Sequence, residues 1–567
     1  MQTARRLYMY LMSGVTLAIL LVGLTSLLTV ALHAAGLGRG DLIGGTADDR
    51  QQLSLAIALI AVGLVVWTIH WLLVERSMRA ENPARDQERG SAVRALYLTI
   101  VLTVLLAFGV LAGIQLLEAV TRRIVGAVDT EGFFTTDPGG ALATLLVTGA
   151  AWTYHAAIRR RDLGGTCLEG AAAWIPRVYL YGAALLGLVL TSVNIGTLLS
   201  HVLGLVAGDV PDFGAEDFRR RMLADAVAGI IGWGIIMLGH WWYATGLIHD
   251  SGWRGASERS ARLRVAYFVA AIGASAIAIV TFGAQALSTS LGLALGVDDL
   301  VANQGAVLAI GGPLLSLLPW IVAWWIHLRW MRAESMAVED AGRAATVDRL
   351  DASAVSLIGL GAAAGGAGGL LGLLFDIALG GNRSDLDFWR ADVARFLALG
   401  AIGAVLWLWN WTRLQRRSAV SPAGEADSTI RRAYLLIVVA AALITSLGTV
   451  AYLLYRLVSA ILQVDQFDNT ASAIAMPLGA LVVAAVLAIY HALVLRGDQA
   501  LRAAAAAGAA GAPSAEVEVA KPAEVTTPLR RRLVLSGPPG ADLETTVAAM
   551  RAALGPDLRL EDEPPEG

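Results

Sequence analysis

Apolar runs of about 18 residues or more recur from one end of this chain to the other, and each is long enough to cross a hydrocarbon core of roughly 30 Å. Few folds accept that pattern. In hydrocarbon every backbone N–H and C=O must be satisfied within the protein, which leaves helices and closed barrels. Runs of this length read as helices. Composition agrees, since only 16% of the residues are charged and the mean hydropathy is +0.62, whereas soluble domains carry about 25% charged residues. The first run, in "MQTARRLYMYLMSGVTLAILLVGLTSLLTVALHAAG", imitates a cleavable signal peptide but continues past the length of one. It is read as the first span.

The same segment returns along the chain. Odd-numbered runs open on "RRLY" (Tyr8), "RALY" (Tyr97), "RVY" (Tyr179), "RVAY" (Tyr267) and "RRAY" (Tyr434), with Ala352 taken as the fifth marker. Even-numbered runs end in "WTIHW" (His70), "WTYHA" (His155), "MLGHW" (His240), "WWIHL" (His327), "WLWNW" (Asn410) and "AIYHA" (His491). Glycines at Gly36, Gly126, Gly208, Gly296 and Gly380 follow the first-helix markers at a near-constant distance. A glycine there closes a helix cheaply in the left-handed conformation. The expected fold is an all-α integral membrane protein of about twelve transmembrane helices in six repeated hairpins. They fall at about 1–80, 90–162, 174–250, 260–334, 346–417 and 429–499, in a membrane domain spanning 1–499.

Arginine sets the expected orientation. It is concentrated in the connections between hairpins, among them Arg76, Arg79, Arg159, Arg160, Arg161, Arg416 and Arg417, while Arg219, Arg220 and Arg221 are the exception. Under the positive-inside rule both termini are then cytoplasmic. These paired markers, an Arg–x–x–Tyr helix followed by a Trp/His-ended helix, resemble an uncharacterised family of bacterial multi-spanning membrane proteins. That family is known only as a domain of unknown function and often occurs in tandem. The resemblance covers residues 1 to about 499 and implies no activity, cofactor or site residue.

Two groups of residues are candidates for function. The first is the register His70, His155, His240, His327, Asn410 and His491, which the sequence places among tryptophans at the membrane interface. There imidazoles either form an edge belt, bonding headgroups or a neighbouring carbonyl, or line a proton or substrate path. Haem ligation would need two of them to face each other, and zinc would need three or four ligands at one point. The second group is "GLGAAAGGAGGLLG", where Gly361, Gly365, Gly368 and Gly372 mark either close helix packing or a broken helix in the ninth span. The single cysteine, Cys167, excludes an intramolecular disulfide framework and any multi-cysteine metal site.

Beyond the spans, residues 500–528 read as a flexible linker and 529–567 as a small cytoplasmic module of β-α-β pattern. The "SGPPGAD" there lacks the Gly-Lys-Ser/Thr ending of a phosphate loop. No cofactor and no nucleic acid is expected. The expected partners are the bilayer and a cytoplasmic protein held by the tail. The leading expectation is a non-enzymatic scaffold. The alternatives are a channel or transporter with a pathway near the ninth span, and a haem-binding redox protein.

Overall fold

A computed structural model describes residues 2–37, 46–79, 83–127, 137–163, 170–207, 215–298, 305–336, 341–380, 386–462 and 470–511. The described residues hold twelve helices long and apolar enough to cross a membrane, as the hydropathy pattern requires, and no strand. The chain is a multi-pass membrane protein.

The elements run α1 (Gln2–Leu32), α2 (Thr46–Arg79), α3 (Pro83–Arg89), α4 (Ala92–Val125), α5 (Pro138–Leu163), α6 (Gly170–Ala207), α7 (Ala215–Ile248) and α8 (Trp253–Arg259). They continue with α9 (Arg262–Ala294), α10 (Gly305–Met336), α11 (Ala341–Ala378), α12 (Leu386–Val420), α13 (Pro422–Asp427), α14 (Thr429–Ile461) and α15 (Thr470–Gly511). Three of these, α3, α8 and α13, are one- to two-turn helices, and each joins the second long helix of a group of four to the third. The chain therefore repeats as three copies of five elements, with α1, α6 and α11 each opening a copy. Two hairpins of different kinds alternate, so the structural period is about 170 residues, twice the spacing of the hairpin markers.

Local rules place the helix ends. Gly36, Gly126, Gly296 and Gly380 all have positive φ, between 68° and 90°. After Gly126 the amide of Ala127 reaches back to the Arg122 carbonyl at 3.0 Å, and after Gly296 that of Val297 reaches the Gly292 carbonyl at 2.9 Å, closing both helices. Gly208, the fifth such position, lies outside the described residues.

Glycine also sets how closely the first hairpin of each copy packs. A Cβ on Gly63 would lie 2.7 Å from the Leu20 backbone, and one on Gly187 2.7 Å from that of Met237. In the third copy a Cβ on Gly403 would run into the Ala363 backbone. Copies then join by one rule: α4 packs on α6 and α7 of the second copy, and α9 packs on α11 and α12 of the third. The ends of the helices that carry α3, α8 and α13 are called the basic end below.

Compact units divide the chain into Met1–Arg502 and Ala503–Gly567. The flexible linker expected at 500–528 needs correction at its start, because α15 runs unbroken to Gly511. The reason is "LRAAAAAGAAG", a stretch dominated by the residue with the highest helix propensity. The rest of that linker and the β-α-β module at 529–567 lie outside the described residues.

Candidate functional site

At the basic end each copy buries an arginine. Arg94, the third residue of α4, is 1% exposed. Its Nε donates to Asp162 Oδ2 at 2.6 Å, its Nη2 to Glu75 Oε1 at 2.9 Å and its Nη1 to the Tyr10 hydroxyl at 3.1 Å. Arg264 of α9 repeats this, holding both carboxylate oxygens of Glu334 at 2.6 and 2.7 Å and the Tyr181 hydroxyl at 3.2 Å. In the third copy Arg431 of α14 donates to Asp498 at 2.7 Å and to Gln415 at 3.0 Å. A guanidinium with its flat fork of donors suits this bidentate work, and a buried charge is tolerable only when paired in this way.

A second ion pair lies beside each of these. Arg6, Arg177 and Arg349 each reach a glutamate of the short helix, Glu88, Glu258 and Glu425, at 2.8 Å. Tyr10 donates to Glu88 at 2.7 Å and Tyr181 donates to Glu258. Ser353 takes the place of that tyrosine in the third copy, and there both Ser353 Oγ and Glu425 Oε2 are buried without a hydrogen-bond partner. The arginine–glutamate pairs also correct the sequence register. They align Arg349 with Arg6 and Arg177, so Asp351, not Ala352, stands where Tyr8 and Tyr179 do.

Under each arginine lies an aromatic cluster. Trp71, Tyr97 and His155 have ring centroids 5.6 to 6.2 Å apart. Trp241, Tyr267 and His327 are 5.2 to 6.2 Å apart, and Trp411, Tyr434 and His491 are 5.3 to 6.0 Å apart. Trp71 and Trp411 donate to Tyr154 and Tyr490 at 2.6 and 2.9 Å. Ile326 replaces that tyrosine in the second copy, where Trp330 stacks on Trp241 at 4.9 Å instead.

The histidine register thus splits into two classes. His155, His327 and His491, from the fourth long helix of each copy, are 0 to 4% exposed and sit inside these clusters. His70 and His240, from the second, are half-buried, and Asn410 is 5% exposed. All six share one bond, from Nδ1 (Nδ2 in Asn410) to the carbonyl four residues earlier, at 2.7 to 2.9 Å. Asparagine serves there because that bond needs only an N–H donor. The carbonyl fixes the proton on Nδ1, leaving Nε2 as an acceptor in the neutral ring. Tyr267 supplies a donor to His327 at 3.0 Å and Tyr179 to His240 at 3.1 Å. The three buried histidines belong to three separate clusters. Among the described residues no group of three His, Cys, Asp or Glu side chains could hold a metal ion.

The glycine-rich ninth span is one continuous helix, α11. Close approach is made by Gly359, Gly366 and Gly369, where a Cβ would meet Trp407, Gly400 and Phe396 of α12, and by Gly372 against Met476 of α15 at 2.6 Å. Gly368 lies in ordinary contact with Ala480 at 3.4 Å, Gly365 with Leu399 at 3.5 Å, and Gly361 has nothing within 4 Å. The packing face is therefore rotated from the Gly361–Gly365 row that i, i+4 spacing suggested. Neither Pro313 nor Pro477 breaks its helix.

Glu75, Glu88, Asp162 and their counterparts escape a search for mid-membrane charge because they sit at the helix ends. The fourth-helix acid alone carries a signal: it follows the histidine by seven residues in every copy (Asp162, Glu334, Asp498), on the same helical face.

Between the first and second copies lies a cavity of about 860 Å³, lined by α4, α5, α6, α7 and α8. Its walls are predominantly apolar, and Arg159, Arg160 and Arg254 line its basic end. Trp152 of α5, Tyr179 of α6 and His240 of α7 cross it as a chain. Trp152 Nε1 donates to the Tyr179 hydroxyl, which donates to His240 Nε2, both at 3.1 Å.

The sequence matches the family described as a domain of unknown function (DUF5671) three times, at residues 6–154, 177–322 and 349–486. Each match spans the first three long helices of one copy and runs into the fourth, ending before its buried histidine. No curated protein and no solved structure matches the chain.

Proposed function

We propose, for a chain that belongs to the DUF5671 family and carries its domain in three tandem copies, the role of a non-enzymatic scaffold in a bacterial cytoplasmic membrane. The basic end faces the cytoplasm, and the C-terminal segment beyond Gly511 recruits a cytoplasmic protein. One observation carries this reading. In all three copies an arginine of the first long helix bonds a glutamate of the short helix, and an arginine of the third long helix bonds an acid of the fourth. Groups engaged in this way fix helix register, which is the best-attested use of buried ion pairs. They are not held open toward a substrate. Arginine-rich connections at the same end support the orientation.

The test has two arms. Cys167 and Lys521 should react with impermeant reagents only from the cytoplasmic side, and cysteines placed at Asp129 and Asp298 only from outside. Crosslinking in native membranes should join the full chain, through Lys521, to a protein that a variant ending at Gly511 no longer captures. A reversed pair of labels sinks the orientation. Turnover of a defined substrate by the purified protein sinks the scaffold.

A further inference from the structure

We infer that the cavity between the first and second copies is a binding site for one anionic glycerophospholipid, with its phosphate at Arg159 and its acyl chains along α4. The inference starts from Arg159. This side chain is 8% exposed, lines the cavity, and has both Nε and Nη2 buried with no hydrogen-bond partner. Such a group is costly unless an acceptor meets it. The carboxylate nearest in sequence, Asp162, already bonds Arg94 and lies 3.5 Å from Arg161. Glu258, the carboxylate lining the cavity, is engaged by Arg177 and Tyr181. Arg160 and Arg254 line the same end, the latter 5.7 Å over the Trp253 ring. Three guanidinium groups therefore line one end of the cavity, and the two acids beside it, Asp162 and Glu258, are engaged by other groups. Planar guanidinium donors suit a phosphate diester.

The other copies indicate that Arg159 is not part of the repeated framework. The position four residues after the buried histidine is Arg159 in the first copy, Met331 in the second and Leu495 in the third. Met331 is 3% exposed and packs in an apolar core with Val347 and Val355 of α11. An apolar residue thus serves the packing at this position, and the arginine answers to something else.

The shape of the cavity names the ligand class. Lining residues on α4 run from Thr99 at the basic end to Val120, about 31 Å at roughly 1.5 Å per residue, close to the roughly 30 Å of the hydrocarbon core. A site with cations at one end and apolar walls along a membrane-deep length fits an amphiphile and not a free anion. The glycines keep it open. Gly149 and Gly239 both line it, and a Cβ at either would meet nothing within 4 Å.

The decisive experiment places the full-length protein in phosphatidylcholine nanodiscs carrying a few per cent of photoactivatable phosphatidylglycerol and maps the crosslinked residues. Crosslinks should concentrate on α4 to α7. Arg159→Met should reduce them about tenfold or more, the scale of one charge-assisted hydrogen bond. Gly149→Leu, which fills the space and leaves the arginine, should reduce them as well. Both variants should keep the wild-type thermal midpoint, which separates a lost site from a lost fold. Equal labelling by a photoactivatable phosphatidylcholine would overturn the anionic assignment. Displacement of the lipid by millimolar inorganic phosphate alone would overturn the lipid assignment. Unchanged labelling in both variants would remove the site.

Discussion

The two junctions between copies are built by the same rule and end differently. In each, the third long helix of one copy packs on the first hairpin of the next. At the second junction α10 also packs directly on α11, and Met331, Val347 and Val355 share one apolar core with Phe268 and Ile272. At the first junction the corresponding helix, α5, reaches α6 through the Trp152–Tyr179 hydrogen bond and leaves a cavity of about 860 Å³ around Arg159. A repeated backbone therefore does not fix whether a junction closes. Side-chain volume and one charge decide it, because packed interiors tolerate neither voids nor unpaired ions without cost.

Exchanging the deciding residue gives the largest expected effect. Met331→Arg puts a guanidinium into the apolar core of the second junction, where the acid on the packed face of α11, Asp351 between Val347 and Val355, already has Arg413 at 3.8 Å. It should cost about 3 kcal/mol or more and lower the thermal midpoint sharply in detergent. A midpoint within a degree of wild type would mean that the second junction can open as the first does.

Next comes packing at the third copy's first hairpin. Gly366→Leu forces a side chain against the Gly400 backbone of α12, an obstacle that cannot rotate away. Overpacking typically costs about 1–3 kcal/mol, and a backbone clash belongs at the upper end. The control is Gly361→Leu, with nothing within 4 Å of its Cβ. If both lose equal stability in the same thermal assay, α11 does not pack on α12 as described.

The sequence made the helices legible and left the sites largely hidden, for reasons that differ by residue. Twelve spans follow from run length alone. The glycine closures at Gly126 and Gly296 follow from their spacing, since only glycine takes positive φ there without strain. The histidine register was visible too, but hydropathy places a residue in depth and not around the helix axis. It could not tell that His155 faces Trp71 and Tyr97 while His70 sits half-buried beside Tyr8. The same limit hid the Arg94–Asp162 pair, whose partners are 68 residues apart. Hairpin markers blended two kinds of hairpin into one, which is why the fifth marker slipped from Asp351 to Ala352. A linker at 500–511 was expected from composition, and alanine propensity made it helix instead.

The bridge across the first junction should matter less than either packing change. Tyr179→Phe removes a hydroxyl that accepts from Trp152 and donates to His240. Two neutral hydrogen bonds at roughly 0.5–1.5 kcal/mol each, partly replaced by water, give a loss of about 1–2 kcal/mol. Tryptophan fluorescence should report a wetter Trp152. An unchanged spectrum and midpoint would mean that α5 is held to the second copy by something other than this chain.

The smallest effect has the opposite sign. Gly149→Leu adds a side chain at a helix position lining the cavity, where an added Cβ meets nothing within 4 Å. Leucine is preferred over glycine in a helix interior by up to roughly 0.8–1 kcal/mol, and filling a void adds favourable contacts. The variant should therefore unfold at the same temperature as wild type or slightly above it. A glycine whose replacement strengthens the fold is not there for the fold, and at the second junction the equivalent position carries Ile321. Loss of stability in Gly149→Leu would show that the first junction is held in its open form by packing and would dissolve the contrast between the two junctions. A stable variant that no longer holds the lipid would instead tie the opening to its occupant.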